Sequence, residues 1–194
     1  MAVTEKEAEN LIRIWEKAVD TQMHFNEMSV KSRQLGFTFV AAALGVASFL
    51  LSRGTDFSIL IPTPCGKFTL HVSVFLIMFS IIAVVAIRRL DLAVYHRMLR
   101  GAVTFGEDFE ENYLKAIISL EKGMTQAISH YSRYDDADKK TVDGKYHYTG
   151  TRFFTAEHKL RRFYFYVICA LALSALVIFI ITNIGSFQAP KAPG

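Results

Sequence analysis

The stretch "FYFYVICALALSALVIFIITNIG", Phe163 to Gly185, follows the basic run "KLRR" and precedes nine further residues. A helix of about 20 mostly apolar residues crosses the ~30 Å of bilayer hydrocarbon. With Leu, Ile, Val and Phe each contributing ~0.3 to 0.6 kcal/mol, this segment gains about 4 to 7 kcal/mol on insertion. Two further runs have spanning length, Leu35 to Ser52 and Phe68 to Ile87. A chain of 194 residues is too short to hide three such runs inside one soluble core, so the expected fold is all-α, a three-span helical membrane protein with long cytoplasmic helical extensions.

Composition agrees with lipid as the solvent: 52% of residues are hydrophobic and the sixteen Phe residues cluster in blocks. The net charge of +4 does not point to nucleic acid as a partner, because acids and bases interleave and the basic excess flanks the apolar runs. Of the Lys and Arg residues, five precede the first run, two lie in residues 53–67, fourteen in 88–162 and one in the tail. The positive-inside rule then places the N-terminus and the long middle segment in the cytoplasm of a multi-pass inner-membrane protein, with the C-terminus outside. Lys159, Arg161 and Arg162 hold the last span with its N-terminal end inward, and Tyr164 and Tyr166 suit the headgroup belt. The early "TEKEAENLIRIWEKAVD" has no apolar core and is not expected to be a signal peptide.

The chain thus divides into an N-terminal cytoplasmic helix (1–34), span 1 (35–52), an outer loop (53–67), span 2 (68–87), a helical stalk (88–132), a cytoplasmic loop (133–154), a lead-in with span 3 (155–185) and a tail (186–194). Thr4 and Glu7 form a capping-box pattern. Leu11, Ile12, Trp15, Val19, Met23 and Asn26 then trace one helical stripe that runs on into span 1. In the stalk, Tyr95, Leu99, Ala102, Phe109, Tyr113, Ala116, Leu120, Met124, Ala127 and Tyr131 repeat at three- and four-residue steps, as in a helix packed against others. A straight helix over 88–132 would be roughly 68 Å long, and residues 133–154 reach at most about 75 Å. A break is therefore expected, at Gly123 or at the pair Gly101 and Gly106. Asp143 and Gly144 sit as a hairpin turn in an otherwise polar segment, which reads as a loop or small ribbon.

Catalytic chemistry finds little purchase. Glu107, Asp108, Glu110 and Glu111 cluster, but no partner motif at dimetal spacing accompanies them, and they read as a solvated helix face with Arg97 and Arg100 as counter-charges. Cys65 in a short loop and Cys169 in span 3 offer no disulfide framework. The pairs Arg152 with His158 and Arg89 with His96 have only the loose spacing of HEPN ribonucleases. His71, early in the second run, reads as interfacial, with the functional alternative that any ionisable group at membrane depth carries. No enzyme activity, catalytic residue, metal or cofactor is expected.

Two groups of residues stand out instead. Aromatic and basic side chains gather in the cytoplasmic loop, with Tyr134, Lys145, Tyr146, His147, Tyr148 and Arg152 as the candidate ligand or trigger set; such residues receive a nucleotide, line a headgroup interface or meet a protein equally well. Small residues gather in span 1, where Ala41, Gly45 and Ser48 are the candidates for close packing between spans.

A helix entering a first span, a short outer loop, and a second span running on through "IRRLDLAVYHRMLRGAVTFGEDFEENYLKAIISLEKG" resembles the SLATT type of bacterial membrane effectors, over roughly Glu5 to Gln126. The third span lies outside that resemblance, which rests on architecture. It implies a self-associating protein that accompanies nucleotide-signal synthases in antiphage defence and opens or disrupts the inner membrane on a trigger. The expected function is a homo-oligomeric effector that forms a regulated pore or perturbs the bilayer, with lipid, a nucleotide signal or a cytoplasmic defence protein as partners. The alternative is a non-conducting scaffold that recruits a soluble partner.

Overall fold

The structure is a computed structural model that describes residues 4–63, 66–118, 121–142 and 145–184. Cys65, Leu120, the Asp143–Gly144 turn and the tail from residue 185 lie outside the described residues. The chain is mostly helical, in the order α1 (Glu5–Ser52), β1 (Ser58–Thr63), β2 (Gly66–His71), α2 (Val72–Leu90), a π-helical turn (Asp91–Tyr95), α3 (His96–Asn112), α4 (Met124–Arg133), β3 (Asp138–Val142), β4 (Lys145–Thr149) and α5 (Ala156–Asn183). The helical fold agrees with the all-α expectation, to which the described residues add two short antiparallel hairpins. Among the described residues three helices are long and apolar enough to cross a membrane: α1, the continuous helix Val72–Asn112, and α5.

The chain forms two compact units, one of residues 1–32 and 89–162, the other of 33–88 and 163–194. In the second, apolar unit the buried positions include Val40 and Ala47 of α1, Ile77, Ser80 and Val84 of α2, and Tyr164, Leu171 and Ala175 of α5. Phe79, Ile82, Leu173 and Ile181 stand more than 60% exposed. Large apolar side chains facing outward is the arrangement expected of helices whose solvent is lipid.

Residues 68–71 of the expected second span are strand rather than helix. β1 and β2 pair in register from Ser58 with His71 to Thr63 with Gly66. The side chain of Asn183, at the end of α5, bonds that hairpin as a strand would. Its Oδ1 accepts from Thr69 N at 2.7 Å and its Nδ2 donates to Thr69 O at 2.8 Å. α1 ends at Ser52, and Gly54 adopts φ 68°, the left-handed conformation that glycine takes at low cost after a helix.

The polar unit is built on α1, α3 and α4. Thr4 and Glu7 start α1 with reciprocal contacts, Thr4 N to Glu7 Oε2 at 2.9 Å and Glu7 N to Thr4 Oγ1 at 3.4 Å. The packed stripe of α1 differs from the apolar one expected. Ala18, Gln22 and Ser29 are buried, whereas Met23 is 66% exposed and Asn26 is exposed. Gln22 is affordable inside because its Nε2 donates to Ala102 O at 3.2 Å and lies 3.5 Å from Thr125 Oγ1. Gly106 of α3 makes that crossing possible: a Cβ there would lie 2.6 Å from Gln22 Nε2 and 2.9 Å from Thr125. Ser29 in turn donates to the buried carboxylate of Asp91 in the π-helical turn.

The stalk breaks after Asn112. A single 3-10 turn at Leu114–Ala116 follows, and α4 restarts after Gly123, while Gly101 and Gly106 lie within α3.

Candidate functional site

Residues 133–142 and 145–154 form a ribbon, one of the two forms expected of this segment. Tyr134 bridges Phe153, Asp135 N donates to Arg152 O at 2.9 Å, and Phe154 N donates to Arg133 O at 2.9 Å. Inside this neck β3 and β4 pair from Asp138 with Thr149 to Val142 with Lys145. Asp136 closes the neck: its carboxylate accepts from Thr151 Oγ1 at 2.6 Å and from Arg152 N at 2.7 Å. The Thr151 side chain first, then the Arg152 amide, hold its pKa down to about 2.

The hairpin is tied to α4 through His130, whose Nε2 lies 2.9 Å from Thr149 O. Tyr134 and Tyr148 surround that ring at centroid distances of 5.0 and 5.4 Å, and Tyr131 meets Tyr148 edge-on at 6.4 Å. Lys122 Nζ sits 5.4 Å from the Tyr148 ring centroid. Of the six candidate trigger residues, the structure therefore brings Tyr134 and Tyr148 together. His147 faces Glu121 instead, with Nδ1 3.6 Å from Oε1. Arg152 is exposed and contributes its backbone to the neck. The side chains of Lys145 and Tyr146 lie outside the described residues. His130 and Asp136 escaped the sequence reading, because a lone His on a helix and one Asp in the run "DDAD" carry no spacing signal.

The acidic cluster of α3 is not a uniform solvated face. Glu110 is 3% exposed and caps α4 in place of the side chain that Gly123 lacks. Its Oε1 accepts from Thr125 N at 2.8 Å and from Trp15 Nε1 at 2.9 Å, and its Oε2 accepts from Gln126 N at 2.9 Å. The partner of Glu107 is Arg133, through two bonds of 3.0 and 2.9 Å, and that of Glu111 is Lys115 at 2.8 Å, rather than Arg97 and Arg100. Among the described residues no group of three or more His, Cys, Asp or Glu is placed to hold a metal ion. His158 Nδ1 lies 2.7 Å from Thr155 Oγ1, one turn from its own helix start, and its ring stacks on Phe154.

In the apolar half of α1, Ala41, Gly45 and Ser48 are exposed, and a Cβ built at Gly45 meets nothing within 4 Å. The face of α1 that packs within the chain is a different one, carrying Gly36, Val40 and Ala47. In the polar unit, α1 and α3 leave an open groove of about 730 Å³. Its lining includes Ala18, Gly101 and Ala102, together with the larger apolar Ile14, Met98 and Phe105.

No protein-family model matches the chain, and no curated protein or solved structure matches it either.

Proposed function

We propose that the chain is a homo-oligomeric inner-membrane effector that forms a regulated pore or perturbs the bilayer, acting in bacterial antiphage defence. In this reading the N-terminus and the polar unit are cytoplasmic and the C-terminus is outside. The observation that carries it is the uncovered small-residue face Ala41, Gly45 and Ser48 on a helix of spanning length. Between helices in lipid the hydrophobic effect gives no drive, so close backbone approach at small residues is the main source of association. One copy buries Ile77, Val84 and Leu171 within its apolar unit, so a conducting path needs several copies. The defence role rests on the resemblance to SLATT-type effectors.

The trigger, a nucleotide signal or a cytoplasmic defence protein, is assigned to the ribbon of Tyr134, Lys145, Tyr146, His147, Tyr148 and Arg152. A cue moves the equilibrium only by its differential affinity for the two states. Exposed Arg152 beside a neck fixed by Asp136 supports this assignment, since a ligand there engages a positioned cation.

A second reading, a non-conducting scaffold that recruits a soluble partner, is favoured by the apolar groove between α1 and α3. The separating experiment is reconstitution of the full chain at rising protein-to-lipid ratio, with chemical crosslinking. Discrete oligomers are expected, and monomers at every ratio would leave the scaffold.

A further inference from the structure

His71 ends β2 and occupies the N-cap position of α2. It is 1% exposed, and both ring nitrogens are taken by backbone. Ser73 N donates to Nδ1 at 3.1 Å, so Nδ1 is an acceptor and the ring proton resides on Nε2, which lies 3.1 Å from Gly54 O. One neutral imidazole thereby caps the first turn of α2 and ties down the left-handed residue that follows α1. Ser73 reinforces the corner by donating Oγ to Ala47 O at 2.7 Å.

A protonated ring cannot keep this arrangement. Imidazolium carries donors on both nitrogens, so its Nδ1–H would face the Ser73 N–H. It would also place a positive charge at a helix N-terminus, where the macrodipole is already positive. Among the described residues the ring bonds backbone groups and no acidic side chain. The Arg53 guanidinium lies over the Phe49 ring at 5.1 Å, Asp56 and Lys67 are exposed, and α2 carries no acidic residue in its first turn. The last turns of α1 and α5, residues 49–52 and 180–183, carry no acidic residue. Opposite His71 in the ladder, Ser58 keeps a buried hydroxyl with no hydrogen-bond partner among the described residues, so opening this corner gains hydration.

We infer that His71 is a proton-operated latch, which closes the corner between Gly54 and Ser73 when neutral and releases the first turn of α2 when protonated. The latch is independent of the oligomer reading. The test uses the full chain in lipid nanodiscs, with amide exchange read across residues 54–75 and corrected for intrinsic pH effects. Between about pH 7.5 and pH 5, protection of the Ser73 amide should fall about tenfold or more in the wild type. It should hold in His71→Asn, because Asn caps a helix without titrating. Unchanged protection in the wild type, or an equal fall in His71→Asn, overturns the latch. Should the variant not fold, imidazole nitrogen NMR of the wild type decides: an Nε2–H tautomer at neutral pH that converts to imidazolium as protection is lost supports it, and an Nδ1–H tautomer overturns it.

Discussion

Trp15 donates its indole N–H to Glu110 across 95 residues of sequence, and the same carboxylate caps α4. One buried acid thus fastens the start of α1 to α3 and to the helix that carries the hairpin. Glu110→Ala would strand the buried Thr125 amide and two half-buried donors, Trp15 Nε1 and Gln126 N. A buried donor left without a partner costs ~1 to 3 kcal/mol, and a destabilisation of about that size is expected. Because Trp15 is the single tryptophan, its emission reports the event: a red shift and an earlier denaturant midpoint are expected, and an unchanged midpoint would remove Glu110 as a fastener.

Asp136 gives the ribbon a defined acid limit. Its pKa is lowered in the folded chain to about 2, below the ordinary value of ~3.9. The stabilisation it supplies is present above that ordinary value and is lost as pH falls through the folded one. Amide exchange at Thr151 and Arg152, taken relative to its intrinsic rate at each pH, should therefore be flat from neutral pH down to about pH 5 and rise between about pH 4 and pH 2. Asp136→Asn should raise exchange at neutral pH and abolish that acid step.

These two carboxylates mark the edge of what the sequence discloses. Runs of apolar residues long enough to span are legible because lipid demands length and composition together. The boundary at residues 68–71 is not: Phe68 and Leu70 are as apolar as the helix that follows, and only the pairing with β1 and Asn183 makes them strand. Gln22, Ser29 and Glu110 read as surface, because their burial depends on partners about 15 to 100 residues away. The restart of α4 after Gly123 was foreseeable as a glycine break, but the end of α3 at Asn112 was not, since neither Gly nor Pro stands there. In the candidate ribbon the aromatic and basic residues were visible in composition, whereas the His130 and Asp136 contacts that arrange them come from tertiary placement.

The ribbon residues separate into two kinds. Tyr148 packs on His130 and Tyr131, so Tyr148→Ala should loosen the hairpin and lower the melting temperature. Arg152 contributes backbone to the neck and an exposed side chain, so Arg152→Ala should leave stability within about 0.5 kcal/mol. If Arg152 reads the trigger, that variant should lose triggered depolarisation while inserting normally. Wild-type depolarisation by Arg152→Ala would move the trigger elsewhere.

Topology is testable without a trigger. A reporter fused after Gly194 should lie outside and one inserted within residues 139–144 should lie in the cytoplasm, following the basic flanks. Both reporters on one side would contradict three spans.

The central claim is that copies assemble through the small-residue face of span 1 and thereby permeabilise the bilayer. Gly36 and Gly45 separate this from simple folding, because a side chain at Gly36 runs into Ile87 whereas Gly45 has open space. Gly36→Leu should cost the chain about 1 to 3 kcal/mol by overpacking, and Gly45→Leu should leave its stability unchanged. The decisive measurement is ion efflux from liposomes as a function of protein-to-lipid ratio, for wild type and Gly45→Leu at matched insertion. Efflux that rises steeply with density in the wild type and vanishes in Gly45→Leu is predicted. Equal efflux from both proteins, or sealed vesicles at densities where crosslinking shows wild-type oligomers, would contradict the account.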